Sequence, residues 1–249
     1  AAIIHHKINV PASLRRRPDK VRNAARQRSG SLLLCGVPFY FTKRKNMLEV
    51  TGIEKRYRGR TILKDVSFRA NPGGCIGIVG GNGCGKTTLL SILAGICKPD
   101  RGSIRIDGQE ALGRHRLLEE KIAYVPQENP LIPELTAFDN YRLWFRGKRR
   151  EMERDLECGV GRVLGVDRFL KTQAGRLSGG EKKRLSIAAA LSGRADILIL
   201  DEPGAALDLE SKEQILTYIR SYVKAGGTVL LTSHEMGEIG ACTTLYVLK

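Results

Sequence analysis

Unbroken apolar runs separated by amphipathic stretches dominate the chain from residue 47 onward. Cys75-Ile76-Gly77-Ile78-Val79, Ile197-Leu198-Ile199-Leu200 and Val229-Leu230-Leu231 have the length and density of strands covered on both faces. All are far shorter than the roughly 20 residues a membrane helix requires. Helical periodicity follows the first run, giving a strand and helix over 75–94. It precedes the second in Lys182 to Leu191, and it separates the second from the third over 209–224. Alternation of this kind predicts a mostly parallel sheet flanked by helices. A β-rich opening is expected at 48–70, shorter strands near 103–106, 121–125 and 228–232, and a last short helix and strand after those. Residues 134–170 are charged and helix-patterned, with aromatics at 138, 141, 144 and 145 on one face. Such a stripe is expected to pack into a core.

Chemistry enters where those strands end. Gly80-Gly81-Asn82-Gly83-Cys84-Gly85-Lys86-Thr87-Thr88 joins the first strand to its helix with the spacing of a phosphate-binding loop. Its glycines let the backbone curl so that successive N–H groups point inward, and the helix presents its positive end to the phosphates. Lys86 is expected along the β- and γ-phosphates, with the Thr87 hydroxyl on Mg²⁺. The second apolar strand runs into Asp201-Glu202-Pro203, a Walker B segment. At the C-terminal end of a strand both carboxylates can reach the crevice where an α/β sheet binds its ligand. Asp201 is expected to hold Mg²⁺ through its water shell, and Glu202 to polarise the attacking water as general base.

Between these motifs, Leu177-Ser178-Gly179-Gly180-Glu181 heads a helical stretch, where the Ser178 hydroxyl and the glycine amides could meet a terminal phosphate. Here residues 47–249 resemble the ATP-binding subunits of ABC transporters, for which this signature is far more specific than the phosphate loop. The resemblance implies an α/β P-loop NTPase with a mostly parallel core sheet, an N-terminal antiparallel β-subdomain, and a helical subdomain inserted at about 130–180. It implies ATP and Mg²⁺ as ligands, with nucleotide contacts from Tyr57, Gly80, Gly81, Asn82, Gly83, Cys84, Gly85, Lys86, Thr87 and Thr88. Tyr57 would stack on adenine. Gln127 would touch Mg²⁺ and water, completing a metal set with Thr87 and Asp201, and His234 would sense the γ-phosphate beside Glu202. The signature Leu177, Ser178, Gly179, Gly180 and Glu181 would face the nucleotide of a second subunit, and Asp208 would communicate across that dimer.

The same resemblance implies a homodimer, or a heterodimer with another ABC ATPase subunit, that hydrolyses ATP to drive an integral membrane permease. That places the subunit in the cytoplasm, peripheral to the inner face of the cell membrane. A coupling helix of the permease would dock between the helical subdomain and the loop of Gln127. The short form and Pro133-Glu134-Leu135-Thr136 resemble bacterial exporter subunits. Three positions depart from the family pattern: Gly81 for Pro, Cys84 for Ala or Ser, and Gly204 for Thr. None removes a catalytic side chain, and Gly204 is expected to loosen the backbone next to Glu202.

Length and charge refine this picture. The 249 residues fit one large α/β domain, and six cysteines without a CxxC pair fit a reducing compartment. Residues 1–46 carry eleven Lys/Arg against Asp19 alone, which is ten of the chain's net +16. The expectation is a disordered or non-native extension that can be removed, since Met47-Leu48-Glu49-Val50 resembles the usual opening of these subunits. At the other end the family continues with more strand and helix beyond Lys249. A nucleic-acid arm is the competing reading of the basic tail. It is not expected, because the chain shows no second ATP-binding unit, zinc module or long coiled coil. A subunit that binds nucleotide without hydrolysing it is opposed by intact Lys86, Asp201, Glu202 and His234.

Overall fold

A computed structural model describes residues 2–10, 47–193 and 195–249. The solid apolar blocks become the core sheet. β4 (Cys75–Val79), β7 (Ile122–Val125), β8 (Ile197–Asp201), β9 (Thr228–Thr232) and β10 (Thr244–Leu248) lie in the order β10-β4-β9-β8-β7, and each neighbouring pair is parallel. Strand alternation splits their side chains between two cores. Leu198, Leu200, Val229 and Leu231 pack on one face with Ile187 and Leu191 of α6 (Gly179–Leu191) and with Ile215 and Ile219 of α7 (Leu209–Lys224). Ile197, Ile199 and Leu230 pack on the other with Leu89, Leu90 and Leu93 of α1 (Lys86–Leu93). Both faces are therefore covered, which is why these strands read as continuous apolar runs.

The second core is closed by an antiparallel sheet of β2 (Leu48–Tyr57), β3 (Arg60–Ala70), β5 (Arg101–Ile106) and β6 (Gln109–Glu110), in the order β3-β2-β5-β6. β2 and β3 are joined by Arg58-Gly59, with φ of 48° and 79°, as a two-residue hairpin whose twist matches the strands requires. A short helix, α2 (His115–Lys121), leads into β7 and was not expected from the sequence pattern.

The helical insert holds α3 (Ala137–Trp144), α4 (Arg149–Cys158) and α5 (Val160–Val163). Thr136 caps α3 by accepting from the Asp139 amide at 3.1 Å. The aromatic stripe divides. Tyr141 is fully buried and donates to Asp155 Oδ2 at 2.5 Å, and Phe138 and Phe145 pack against the same core. Trp144 lies about 120° around the helix from Phe138, at 100° per residue, and stays 48% exposed.

The expectation that residues 1–46 stand outside the domain is corrected for residues 2–10. β1 (Ile4–Asn9) pairs antiparallel with β10, from Ile4 opposite Leu248 to Asn9 opposite Thr244. Ala2 crosses to the other sheet, donating to Ile62 O at 2.7 Å and accepting from Lys64 N at 2.9 Å. Ala2 and Val10 are both buried. The physical reason is local composition: Ala-Ala-Ile-Ile and Ile-Asn-Val flank the His5-His6-Lys7 centre, while the Arg-rich stretch begins only at Arg15. An edge strand needs ladder bonds and a few apolar anchors, and the charge count over the whole tail hides both. The basic stretch itself lies outside the described residues. Among the described residues no helix is long and apolar enough to cross a membrane.

Candidate functional site

The loop after β4 turns on Gly83 and Gly85, whose φ of 74° and 98° fall in the left-handed region open to glycine. Gly80 has a different reason: a Cβ there would strike the Leu248 carbonyl oxygen of β10. The loop leads straight into α1, whose first residue, Lys86, is 7% exposed. Its Nζ donates to Gly80 O at 2.9 Å and to Gly81 O at 3.1 Å, and lies 3.3 Å from His234 Nε2.

The C-terminal ends of β7, β8 and β9 deliver the remaining groups. Gln127 follows β7, Asp201 ends β8, and His234 follows β9 by two residues. Gln127 Nε2 donates to Glu202 Oε2 at 3.2 Å, and the other carboxylate oxygen lies 3.6 Å from His234 Nε2. Gln127, Glu202, His234 and Lys86 thus form one continuous line. Thr232 is fully buried beneath it, donating its hydroxyl to Asp201 Oδ1 at 2.5 Å and accepting from the Glu202 amide at 3.0 Å. Those bonds hold Glu202 at φ 45°, a left-handed conformation that costs a non-glycine residue about 1–2 kcal/mol. The second oxygen of Asp201 is buried with no partner among the described residues. An orphaned carboxylate oxygen below a phosphate loop fits the water shell of a hard cation such as Mg²⁺.

These groups open onto a cleft of about 510 Å³ lined by Tyr57, Ile62, Asn82, Gly83, Gly85, Lys86, Thr87, Thr88, Gln127, Glu202 and His234. Gly80, Gly81, Cys84 and Asp201 are not part of its lining. Tyr57 is 46% exposed, with its hydroxyl 3.1 Å from Cys97 Sγ and Lys55 Nζ 5.1 Å from the ring centre. A half-open aromatic ring offers a stacking surface for a base. The same lining holds two groups that can carry or polarise a proton, Glu202 and His234.

None of the signature residues lines this cleft. Ser178 caps α6 in a reciprocal box, accepting from Glu181 N at 3.2 Å while its own amide donates to Glu181 Oε2 at 2.9 Å. Ser178 and Gly179 are exposed, whereas Leu177 is buried as the anchor of the turn. Gly180 packs so closely on α7 that a Cβ would strike Ser211. Ser211 is in turn held by Asp208, which caps α7 through the Ser211 amide at 2.8 Å. Signature and Asp208 loop therefore form one unit. Gly204 is also a matter of space, not of backbone freedom: its φ is not left-handed, and a Cβ there would strike the Glu238 carboxylate. Glu238 is 3% exposed, and burial pushes its carboxyl up against the opposing Ser233 hydrogen bond.

Two participants were not visible in the pattern. Ile62 lines the cleft and presses on Gly85, yet reads as an ordinary strand residue. Lys183 looks like one more surface charge in Lys182-Lys183-Arg184, yet it is 2% exposed.

The ABC transporter family profile matches residues 63–205, more than half of the chain. The chain belongs to the ABC transporter family. Its phosphate loop, signature and acidic strand end all fall inside the matched span. It is 37% identical over 188 residues to the Nod factor export ATP-binding protein I of Burkholderia pseudomallei (strain 1710b), covering 75% of this chain and 62% of that one. It is 34% identical over 195 residues to the linearmycin resistance ATP-binding protein LnrL of Bacillus subtilis (strain 168), covering 78% of this chain and 63% of that one. The chain thus spans somewhat less than two thirds of these relatives. A dimeric ATP-binding cassette in a post-hydrolysis state, bound to ADP and Pi, aligns with a TM-score of 0.73 at 29% identity, over 81% of this chain and 94% of that one. A bacterial Atm1-family ABC exporter with ATP bound aligns at 0.70 and 29% identity, over 83% and 38%.

Proposed function

We propose that this ABC cassette binds Mg-ATP in the cleft and hydrolyses it. The observation that carries this reading is the unbroken line Gln127, Glu202, His234 and Lys86 across the end of the cleft. Tyr57 stacks the base, and the amides of the loop from Gly80 to Thr88, with Lys86, hold the phosphates. Asp201, Thr87 and Gln127 hold Mg²⁺ when it is bound, where it neutralises phosphate charge. Glu202 takes the proton of the attacking water, fixed by Gln127 on one carboxylate oxygen, and His234 steadies the γ-phosphate side. The exposed signature Ser178 and Gly179, with Asp208 beneath, serve the nucleotide of a second cassette, identical or paralogous.

ATP binding then closes the pair and hydrolysis reopens it, moving a membrane-spanning partner from its cytoplasmic face. Export is the direction favoured by the relatives, whose names concern Nod factor export and linearmycin resistance. The direct test is steady-state hydrolysis and equilibrium ATP binding by the full chain. Glu202→Gln should lower kcat by about 10²-fold or more, the span of a lost general base, while ATP still binds. Unchanged turnover in that variant would move the base elsewhere.

A further inference from the structure

The signature helix is fastened to the loop that carries Gln127. Lys183, in the second turn of α6, is 2% exposed, and its Nζ donates to Pro126 O and to Gln127 O, each at 2.9 Å. Nearly one turn further along the same face, Ser186 Oγ lies 3.2 Å from Asn129 Oδ1. The helix thus grips residues 126–129 at two levels.

Lys183 is an unusual choice for that place. Core lysines are rare unless paired, because an ammonium leaves water at a large cost that an apolar side chain of similar volume avoids. The first turns of a helix are also the electropositive end. Burial lowers the ammonium to about 8, with Asp201 and Glu238 pulling the other way. What the ammonium gains in return is two carbonyl acceptors, and one of them belongs to the residue that bonds Glu202.

We propose that Lys183 is a positioning residue that ties the backbone of Gln127 to the signature helix, so that movement of the signature over one nucleotide resets the Gln127–Glu202 contact at the other. This rests on the reading of Glu202 and Gln127 given above. It assigns the coupling to a bond at the backbone of Gln127, whereas its side chain does the chemistry. The ammonium holds the loop in the gripped arrangement, and on this proposal that bond, not the side chain of Gln127, transmits the movement.

The test is a double-mutant cycle in the full chain, reading kcat, KM for Mg-ATP, ATP affinity and thermal unfolding for Lys183→Met, Gln127→Ala and the pair. Lys183→Met should lower kcat about tenfold, the scale of a lost charged hydrogen bond, with ATP affinity held within about twofold. In the Gln127→Ala background it should change kcat little, because the group it positions is gone. Lys183→Gln, which keeps N–H donors, should recover part of the rate, and it takes the place of Lys183→Met in the cycle if the latter does not fold. Multiplicative losses in the double variant, or full kcat in a folded Lys183→Met chain, would overturn the proposal. Turnover that still depends on Glu202 in that case leaves the functional reading standing, whereas turnover indifferent to Glu202→Gln removes the reading itself.

Discussion

At the scale of single residues, the site turns on groups that touch no ligand. Thr232 joins the two carboxylate positions, giving its proton to Asp201 and taking the amide of Glu202. The left-handed backbone of Glu202 is held through its amide, which reaches both the Thr232 hydroxyl and the Thr232 carbonyl. Thr232→Val preserves shape and volume but leaves a buried carboxylate oxygen of Asp201 without its donor, while the Glu202 amide keeps only the Thr232 carbonyl at 3.2 Å. The expected loss is about 1–3 kcal/mol in urea unfolding, together with a fall in kcat at near-constant KM. Loss of neither would mean that Thr232 only fills space. The carboxylates themselves were legible because their chemistry demands them at a strand end. Thr232 was not, since a threonine closing a strand is commonplace and its role appears only when β8 and β9 are set in register. Lys183 was hidden for the reverse reason: a charge in a charged run reads as solvated, and only packing buries it.

At the scale of elements, the fold was readable wherever burial on both faces left a continuous apolar run, as in β4 and in the interiors of β8 and β9. It was less so where an element depends on its neighbours. α2, seven residues long, has a single fully buried side chain, Leu118, and so carries no clear period. β1 is held mostly by backbone bonds, to which sequence patterns are blind. Its ladder includes Ile3 N to Lys249 O at 2.7 Å and Val10 N to Thr243 O at 3.1 Å, besides the two bonds of Ala2 to β3. The chain shortened to begin at Met47 is therefore expected to lose on the order of 2 kcal/mol, a few net hydrogen bonds less the entropy of ordering them. ATP affinity should fall with it, because the end of β10 backs Gly80 and Ala2 backs Ile62. Equal urea midpoints and equal affinities for the two chains would restore the view that residues 1–46 are dispensable.

At the scale of the whole molecule, none of the signature residues lines the cleft, and on the reading proposed above a single chain presents two halves of different sites. The Glu202→Gln chain with Mg-ATP should pass from monomer to dimer in light scattering after gel filtration, and the nucleotide-free chain should not. A monomer under both conditions would give the signature to a paralogous partner. The sheet that carries these halves also imposes an order in time. Ile4 and its partner Leu248 stand at opposite ends of the described chain. During synthesis, at roughly 5–20 residues per second, β1 leaves the ribosome tens of seconds before β10, the strand it must join. Until then its amides and carbonyls are unclaimed, and the backing of the phosphate loop is incomplete. The backing of the nucleotide cleft is thus finished only once β10 is made, and a nascent chain that stalls before it lacks the Leu248 carbonyl that lies against Gly80.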